Sequence, residues 1–115
     1  MTEASLIIRI DLGTHGRLGP GKILLLENIN THGSISAAGR AMNMSYRQAW
    51  DLVNQLNSAF LEPVVTSQTG GNGGGGAALT PFGHQLVGHY RAVATAAGRA
   101  ARAEIAALTA QLRPA

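Results

Sequence analysis

The residues best placed for chemistry form a run of hydrogen-bonding side chains between positions 45 and 58. Ser45, Tyr46 and Arg47 stand together at its start, and Asp51 and Asn54 follow at helical spacing. Donors and acceptors of this kind can pair with the edges of nucleic-acid bases, and an arginine can bond to both acceptors of a guanine. The run favours nucleic-acid recognition over catalysis, because the sequence offers no paired carboxylates, nucleophile-base set or metal cluster that would indicate an enzyme.

These polar residues are expected on one side of an amphipathic helix. With a step of about 100° per residue, the apolar side chains fall on the opposite face. They are Ala49, Leu52, Val53, Leu56 and Phe60. Ser58 continues the polar face, and Trp50, at its flank, is assigned to packing. Any surface helix of a small domain has a polar outer face, so this division alone does not distinguish a DNA-binding helix.

A second helix start lies just upstream and makes the pattern more specific. Ser34 and Ser36 come at the beginning of a small-residue segment that extends to Met42. A serine hydroxyl there can accept hydrogen bonds from the free backbone N–H groups of the first helical turn. We expect these two serines, together with Arg40, to hold DNA phosphates.

The two helices are separated by a very short break, Asn43-Met44. Ser45 begins the second helix, and Gln48 three positions later fits a capping box, in which each residue satisfies a free donor of the other. Two closely spaced helix starts with a short turn between them are typical of a helix-turn-helix. In that motif the start of the second helix meets the major groove, so residues 45–47 are assigned to base contacts. Asp51 and Asn54 are the next residues within reach of the bases.

A glycine-rich segment lies between two short strand patterns. Pro63 to Gln68 predicts one strand and Ala77 to Leu79 its return, while six glycines occupy the seven positions from Gly70 to Gly76. Such a segment could be a flexible linker. Its strand-like flanks instead favour a hairpin wing, whose bare backbone can approach the sugar-phosphate surface closely. The wing residues expected to contact DNA are Thr69, Gly71, Asn72 and Gly73.

The amino-terminal part of the chain is predicted to support these elements. Leu6 to Leu12 alternates in a way typical of a half-buried strand. A helix is expected to begin at about Pro20 and to end at Gly33. The segment from Gly19 to Lys22 lacks the Gly-Lys-Ser/Thr ending of a phosphate loop, so we expect no nucleotide site there.

Thr80-Pro81 opens a last helix, which is predicted to run from Phe82 to about Leu112. About 30 residues at 1.5 Å each reach roughly 45 Å, which exceeds the width of so small a domain. The apolar side chains of its far half must therefore be covered by something outside this domain. The alanine-rich stretch from Ala92 to Ala103 would let another helix approach closely. We expect a homodimer; the alternative is a helical tail on a monomer. The residues assigned to the dimer contact are Val93, Ala97, Ala101, Ile105, Leu108 and Leu112.

Length and composition place these elements in one domain. The 115 residues, 45% of them hydrophobic, suffice for a single core. We expect one DNA-binding domain over residues 1–115, with residues 81–112 as its long helix. Nine basic and six acidic residues give a net charge of +3, which is compatible with a polyanionic partner. Without cysteine, a membrane span or a leader pattern, we expect a cytoplasmic protein with no disulfide and no metal site.

Several short motifs occur together in this chain. They are GSIS (Gly33–Ser36), SY (Ser45-Tyr46), AWD (Ala49–Asp51), two spaced asparagines (Asn54 and Asn57) and TGGNGGGGAALTPFG (Thr69–Gly83). The combination resembles the LysR-type regulators and, more closely, the molybdate-responsive ModE-type transcriptional regulators, over most of residues 6–95. The resemblance implies a mainly α winged helix-turn-helix with a small β component. It also implies a DNA-binding regulator of molybdate-related genes, with a two-fold symmetric operator in double-stranded DNA as its partner.

The resemblance has two limits. The family often carries a basic residue where this chain has Asn72, so a charged wing contact is not expected, although Asn72 can bond to a phosphate or a minor-groove acceptor. In the resembling regulators a separate carboxy-terminal domain binds molybdate, and this chain ends at Ala115. We therefore expect a regulator without its own oxyanion-sensing domain or a cofactor, which acts without a ligand or depends on a separate molybdate-binding protein.

A function from another class remains as the alternative. Winged helices also serve as protein-interaction modules that do not contact DNA, and the long alanine-rich helix could engage another protein. The outer face of the second helix distinguishes the two hypotheses. Arg47, Asn54 and Ser58 favour DNA, whereas an apolar outer face would favour a protein partner.

Overall fold

The computed structural model describes residues 4–68 and 75–114. Within these ranges it forms a mainly α domain with a small β component, as the sequence predicts. The helices are α1 (Pro20–His32), α2 (Ile35–Ala41), α3 (Tyr46–Ala59), α4 (Pro81–Ala100) and α5 (Arg102–Thr109). The strands are β1 (Ile10–Asp11), β2 (Arg17–Leu18), β3 (Val65–Gln68) and β4 (Gly76–Leu79), and a 3-10 helix, Gly13–His15, lies between the first two. Together they make a winged helix-turn-helix, with α1 to α3 as its three-helix core and β3 and β4 as its wing.

The amino-terminal strand is shorter than the alternation from Leu6 to Leu12 predicts. Only β1 pairs, with Ile10 opposite Leu18 in antiparallel β2. Because α1 begins two residues after β2, no strand remains to pair with the residues before β1. Ile8 is held differently, since its carbonyl accepts a hydrogen bond from the hydroxyl of Tyr90 on α4, with 2.6 Å between the two oxygens.

α1 begins and ends where the sequence predicts. Pro20 occupies its first turn, where a missing N–H costs nothing. At the other end Gly33 has a φ of +75°, in the left-handed region that favours glycine. The Gly33 N–H donates to the Ile29 carbonyl at 2.8 Å and closes the helix.

The core lies where α1 meets α2, α3, the wing and the first half of α4. Its largest fully buried side chains are Ile23, Leu25, Leu26, Ile29, Val53, Leu56 and Val64. Burial of one such side chain stabilises a domain by about 1.5 to 3 kcal/mol. α3 contributes the apolar face that the sequence predicts: Ala49, Val53 and Leu56 are buried, and Leu52 and Phe60 pack against them. The core therefore determines which face of α3 points outward.

The wing is the predicted antiparallel hairpin, in which Val65 lies opposite Leu79 and Gln68 opposite Gly76. Its base is attached to the helices. The backbone N–H of Ala77 in β4 donates to the carbonyl of Gly33, between α1 and α2, at 2.9 Å. The wing and the helix-turn-helix are thus joined through the main chain.

α4 starts at the predicted cap. The Thr80 hydroxyl accepts from the Gly83 N–H at 2.9 Å and donates to the Pro63 carbonyl at 2.7 Å, so one side chain caps the helix and ties it to the segment before β3. Gly83 permits this close approach, since a Cβ at that position would collide with the carbonyl oxygen of Val64.

The last helix is divided, whereas the sequence predicts continuous helix from Phe82 to Leu112. α5 is separated from α4 by Ala101, whose ψ is 0°. Hydrogen bonds from Ala101 to Ala97 and from Ile105 to Ala101, both 2.9 Å, still cross the break. Gly98 in the preceding turn gives the backbone freedom, and no buried side chain nearby holds it to regular geometry.

The far part of this helix extends away from the core. α5 has no buried residue, and the molecule measures 55 × 32 × 22 Å along its principal axes. None of the helices within the described residues has both the length and the apolar character of a transmembrane span.

Candidate nucleic-acid interface

The turn between α2 and α3 brings the two helices close together. The Met44 N–H donates to the Gly39 carbonyl at 2.8 Å, and Asn43 has a φ of +57°, a conformation that asparagine tolerates better than most residues. A Cβ on Gly39 would lie 3.2 Å from the Cβ of Ala49. Two small residues therefore set how closely α3 packs on α2.

The start of α3 is held by the predicted capping box. The Ser45 hydroxyl accepts from the Gln48 N–H at 3.1 Å, and the Gln48 side-chain oxygen accepts from the Ser45 N–H at 3.0 Å. A cap of this kind stabilises a helix by about 1 kcal/mol. The Ser45 hydroxyl keeps its own proton for a further hydrogen bond.

Four exposed polar side chains follow one another along the outer face of α3, as the sequence predicts. They are Arg47, Asp51, Asn54 and Ser58. Within the described residues, Arg47 and Asp51 take part in no ion pair, since the salt bridge found there joins Arg91 to Glu27. Donors and acceptors that face solvent in a row are available to a polar partner.

Tyr46 and Trp50 form a hydrogen-bonded pair on the flank of α3 that faces the wing. The Trp50 indole N–H donates to the Tyr46 hydroxyl, with 2.5 Å between nitrogen and oxygen. Tyr46 is 56% exposed, whereas Trp50 packs against the core, which agrees with the packing role expected for it. The four-residue spacing was visible in the sequence, but the hydrogen bond between the two side chains was not predicted.

The three residues expected to hold phosphates lie together at α2. The Ser34 hydroxyl caps this helix by accepting from the Ala37 N–H at 3.0 Å. One turn later, the Arg40 guanidinium donates to the Ser36 hydroxyl at 2.8 Å. Arg40 is exposed and the two serines are partly buried.

A groove brings these serines next to the start of α3. It runs between α2, the Tyr46 flank of α3 and the base of the wing. Its lining residues are Ser34, Ile35, Ser36, Tyr46, Trp50, Ser67, Gln68, Gly75, Gly76 and Ala77. We call it the hydroxyl groove, because four of its lining residues, Ser34, Ser36, Tyr46 and Ser67, carry a hydroxyl group.

The predicted wing contacts fall where the structure is not described. Thr69, Gly71, Asn72 and Gly73 all lie outside the described residues. The described base of the wing shows instead how its two strands are anchored next to α2 and α3.

Asn57 performs the anchoring on the α3 side. Its side-chain oxygen accepts from the N–H groups of Val64 at 2.7 Å and Val65 at 3.1 Å, and its side-chain nitrogen donates to the Val65 carbonyl at 3.1 Å. The motif contains Asn54 and Asn57 together, but the structure separates them, since Asn54 is exposed on the outer face. Sequence reasoning missed this role because the contact joins residues that only the folded chain brings together.

A second group of cations borders the opposite flank of α3. Arg9, Arg17 and Lys22 line a shallow hollow that Leu52 of α3 closes on one side. The Lys22 ammonium group donates to the Arg17 carbonyl at 2.7 Å, which holds it at the hollow. The sequence did not single out these residues as a group, because β1, β2 and α1 bring them together.

The residues assigned to a dimer contact form an exposed apolar stripe along α4 and α5. Val93, Leu108 and Leu112 are 45%, 72% and 68% exposed. Ala97, Ala101 and Ile105 are partly exposed. Within the described part of the chain, nothing buries this stripe.

Other charged groups do not form a second site. Among residues 4–68 and 75–114, no group of three or more His, Asp or Glu side chains could hold a metal ion. Arg91 on α4 bonds to Glu27 on α1, and this hydrogen bond raises the pKa of the Arg91 guanidinium above its usual value. The pair joins two helices away from the outer face of α3.

Comparison with known proteins gives three informative relatives. The molybdenum-pterin-binding protein MopB of Rhodobacter capsulatus is 46% identical over 80 residues, which are 70% of this chain and 30% of that protein. The transcriptional regulator ModE of Yersinia pestis is 38% identical over 93 residues, 81% of this chain and 35% of the relative. The DNA-binding transcriptional dual regulator ModE of Escherichia coli K12 is 36% identical over 88 residues, 76% and 34% of the two chains. No family model matches the chain.

These relatives are named as regulators or binding proteins, and the chain spans about a third of their length. The matched residues cover most of the winged helix-turn-helix described above. The chain therefore belongs to the ModE-type family of transcriptional regulators and corresponds to their amino-terminal, LysR-like winged helix-turn-helix domain.

Proposed function

We propose that this chain is a sequence-specific DNA-binding transcriptional regulator that acts in the cytoplasm. The observation that carries the proposal is the outer face of α3, where Arg47, Asp51 and Asn54 are exposed beside a capped helix start. In a helix-turn-helix this helix enters the major groove. There an arginine can bond to guanine and an asparagine to adenine, while Ser45 at the helix start donates to either base or backbone.

Backbone contacts would hold the protein in register on the duplex. We assign them to Arg40 with the serines of α2, and to the wing residues Thr69, Gly71, Asn72 and Gly73. Such contacts position a protein without distinguishing sequences. The cations Arg9, Arg17 and Lys22 add positive charge on the other flank of α3, which supports association with a polyanion.

A second copy of the chain would cover the apolar stripe of α4 and α5. Two copies joined in this way would bind two half-sites about one helical turn apart, or roughly 34 Å, on a two-fold symmetric operator. Sedimentation at micromolar concentration is expected to give a dimer. A single 11.9 kDa species under those conditions would argue against this part of the proposal.

The names of the relatives suggest which genes are involved. Regulators named ModE and a molybdenum-pterin-binding protein are among them, so we propose control of molybdate-related genes. Isothermal titration of this chain with molybdate and tungstate measures whether these residues bind an oxyanion themselves.

Selection of bound duplexes from a random pool, followed by footprinting, tests the function directly. We expect enrichment of a two-fold symmetric sequence, and an affinity for it that falls steeply between about 50 and 200 mM salt. Equal affinity for all duplexes, or affinity that does not respond to salt, would contradict the proposal. It would favour the alternative, a winged-helix protein-interaction module that does not bind DNA directly.

Three matched arginine variants sharpen this test. Arg47→Ala is expected to cost the selected duplex about 1 to 3 kcal/mol and to relax the sequence preference at one position. Arg40→Ala is expected to weaken selected and random duplexes alike and to reduce the salt slope by about one. Arg99→Ala, an equal charge change on the exposed surface of α4, serves as the control and should leave the sequence preference unchanged.

A further inference from the structure

We propose that the hydroxyl groove binds a DNA backbone phosphate through donated O–H groups, and that Trp50 positions Tyr46 for this contact. The inference rests on the proposed DNA-binding function. The inference changes the role expected for Tyr46, from a base contact in the major groove to a contact with the DNA backbone beside that groove.

Three of the four hydroxyl groups among the groove's lining residues, those of Ser34, Ser36 and Tyr46, share one hydrogen-bonding state. The observed contacts are Ala37 N–H to Ser34 at 3.0 Å, Arg40 guanidinium to Ser36 at 2.8 Å and Trp50 indole N–H to Tyr46 at 2.5 Å. Amide, guanidinium and indole N–H groups can only donate, so each hydroxyl oxygen is an acceptor in these contacts. Each of these hydroxyl groups therefore keeps its own proton for a further hydrogen bond, and all three residues line the groove.

A cluster of O–H donors selects a ligand that accepts hydrogen bonds. The non-bridging oxygens of a phosphate are acceptors only, whereas the base edges in the major groove present donors as well as acceptors. Arg40 stands behind Ser36 and adds a positive charge to this side of the groove. Hydrogen bonds to a charged acceptor are also stronger than those between neutral groups.

The position of Tyr46 on α3 agrees with a backbone contact. Arg47 is one residue further along, and therefore about 100° further round the helix. The outer face that would meet the bases is centred on Arg47, Asp51 and Asn54, while Tyr46 and Trp50 face β3 and β4. A side chain on that flank, between α3 and the wing, would meet the DNA strand that borders the major groove.

Trp50 acts in this arrangement through Tyr46. Its indole N–H fixes the phenol oxygen as an acceptor and restricts the side chain of Tyr46, which is otherwise 56% exposed. A phenylalanine at position 50 would keep most of the packing but lose this donor. Trp50 is also the single tryptophan of the chain, so its fluorescence reports directly on the groove.

A double-mutant cycle tests both parts of the proposal, with binding measured by the anisotropy of a labelled duplex. Tyr46→Phe is expected to weaken the selected duplex and a random duplex by the same factor, about tenfold, because the hydroxyl bonds to a charged group present in both. Trp50→Phe should weaken both duplexes alike by a smaller factor. In the Tyr46→Phe background, Trp50→Phe should cause no further loss.

The second tyrosine provides a matched control. Tyr90→Phe removes the only other phenol hydroxyl of the chain, which bonds to the Ile8 carbonyl between α4 and the amino-terminal segment. This variant is expected to melt at a lower temperature and to bind DNA as the wild type does. Circular dichroism of every variant checks that a loss of affinity does not reflect unfolding.

Four outcomes would overturn the inference. Loss of affinity by Tyr46→Phe for the selected duplex alone would make Tyr46 a base contact. Independent losses from the two substitutions would show that Trp50 does not act through Tyr46. Relaxed specificity in Arg47→Ala together with unchanged binding by Tyr46→Phe would contradict the phosphate contact in the hydroxyl groove but leave the proposed DNA-binding function intact. A wild-type protein that binds no duplex would contradict both.

Two further measurements identify the source of the phosphate. Duplexes carrying a single neutral methylphosphonate linkage are scanned across the site, and one position is expected to weaken the wild type but not Tyr46→Phe. Inorganic phosphate alone, at millimolar concentration, should leave Trp50 fluorescence unchanged. A saturable response to inorganic phosphate without DNA would make the groove a free-anion site and overturn its assignment to the duplex.

Discussion

The part of the molecule up to Tyr90 and the helical part beyond it differ in how they are held. We call them the head (residues 4–68 and 75–90) and the tail (residues 91–109). Every buried core residue of the described structure, from Leu18 to Tyr90, belongs to the head. The tail, which comprises the second half of α4 together with α5, contains none. The head is therefore stabilised by its own packing, whereas the tail buries no side chain and is tied to the head through the continuous helix and the Arg91–Glu27 ion pair.

The difference also appears in the overall dimensions. The radius of gyration is 17.0 Å, while a compact chain of this length would have about 13 Å. Within the head, no buried side-chain nitrogen or oxygen among the described residues lacks a hydrogen-bond partner. Changes to equivalent residues in the head and the tail should therefore have unequal effects.

The largest difference is expected between two leucines. Leu86 on α4 is 6% exposed and belongs to the core, whereas Leu108 on α5 is 72% exposed. Leu86→Ala is expected to reduce the free energy of unfolding by about 2 to 5 kcal/mol, because it leaves a cavity. Leu108→Ala should leave the head's stability nearly unchanged but weaken self-association. Urea unfolding and sedimentation equilibrium measure the two effects, and equal destabilisation by both variants would remove the distinction between head and tail.

A pair of glycines on α4 gives the next largest difference. A Cβ on Gly83 would collide with the carbonyl oxygen of Val64, whereas a Cβ on Gly88 meets nothing within 4 Å. Gly83→Ala is expected to destabilise the protein by about 1 to 3 kcal/mol. Gly88→Ala should stabilise it by about 0.5 to 1 kcal/mol through helix propensity. Thermal melts followed by circular dichroism test the pair, and a stable Gly83→Ala variant would mean that α4 can move away from β3 without cost.

The two asparagines of α3 are expected to differ in role, Asn57 in stabilising the fold and Asn54 in binding DNA. Asn57→Ala leaves the N–H groups of Val64 and Val65 without their acceptor, which should cost about 2 kcal/mol of stability. Asn54→Ala removes an exposed side chain and is expected to change stability by less than about 0.5 kcal/mol while reducing affinity for the selected duplex. Chemical denaturation and duplex binding measured on both variants should give opposite patterns; the same pattern in both would contradict the division.

The smallest effect is expected at the ion pair that joins α1 to α4. The side chains of Arg91 and Glu27 are 49% and 37% exposed, so solvent screens their attraction. Glu27→Gln is expected to cost less than about 1 kcal/mol, and high salt should reduce the difference from the wild type. Denaturation at low and high salt measures it. A larger cost that persists in high salt would show that this contact, in addition to core packing, holds α4 against α1.

Local signals predict much of the head. The capping box of Ser45 and Gln48, the Thr80-Pro81 helix start and the positive φ of Gly33 are encoded within three or four residues, and the structure confirms each of them. The amino-terminal strand was predicted too long, because alternation indicates a strand but does not reveal that its partner β2 has only two residues. The break at Ala101 was not predicted, because a single glycine such as Gly98 is tolerated inside a helix and does not by itself indicate where the helix ends.

The candidate site divides in the same way. The polar outer face of α3 follows from helical periodicity, so its residues could be named in advance. The role of Asn57, the pairing of Trp50 with Tyr46 and the cluster of Arg9 with Lys22 were not predicted. The contacts of Asn57 and of the cations join separate elements, and the Tyr46–Trp50 bond, although local on α3, depends on side-chain conformations that a single sequence does not report.

The attachment of the wing has a consequence for the shape of a bound duplex. The Gly33 carbonyl accepts from the Ala77 N–H at 2.9 Å and would lie 2.8 Å from a Cβ on Gly76, so β4 has no room to slide against α1. Asn57 also anchors β3, so the base of the wing is held at a fixed place beside α3. A duplex that engages both α3 and the wing must adapt its groove width to this arrangement, and the deformation is easier for some sequences than for others. If the chain binds DNA as proposed, its sequence preference would also extend to base pairs that no side chain touches, because their flexibility affects how easily the duplex deforms.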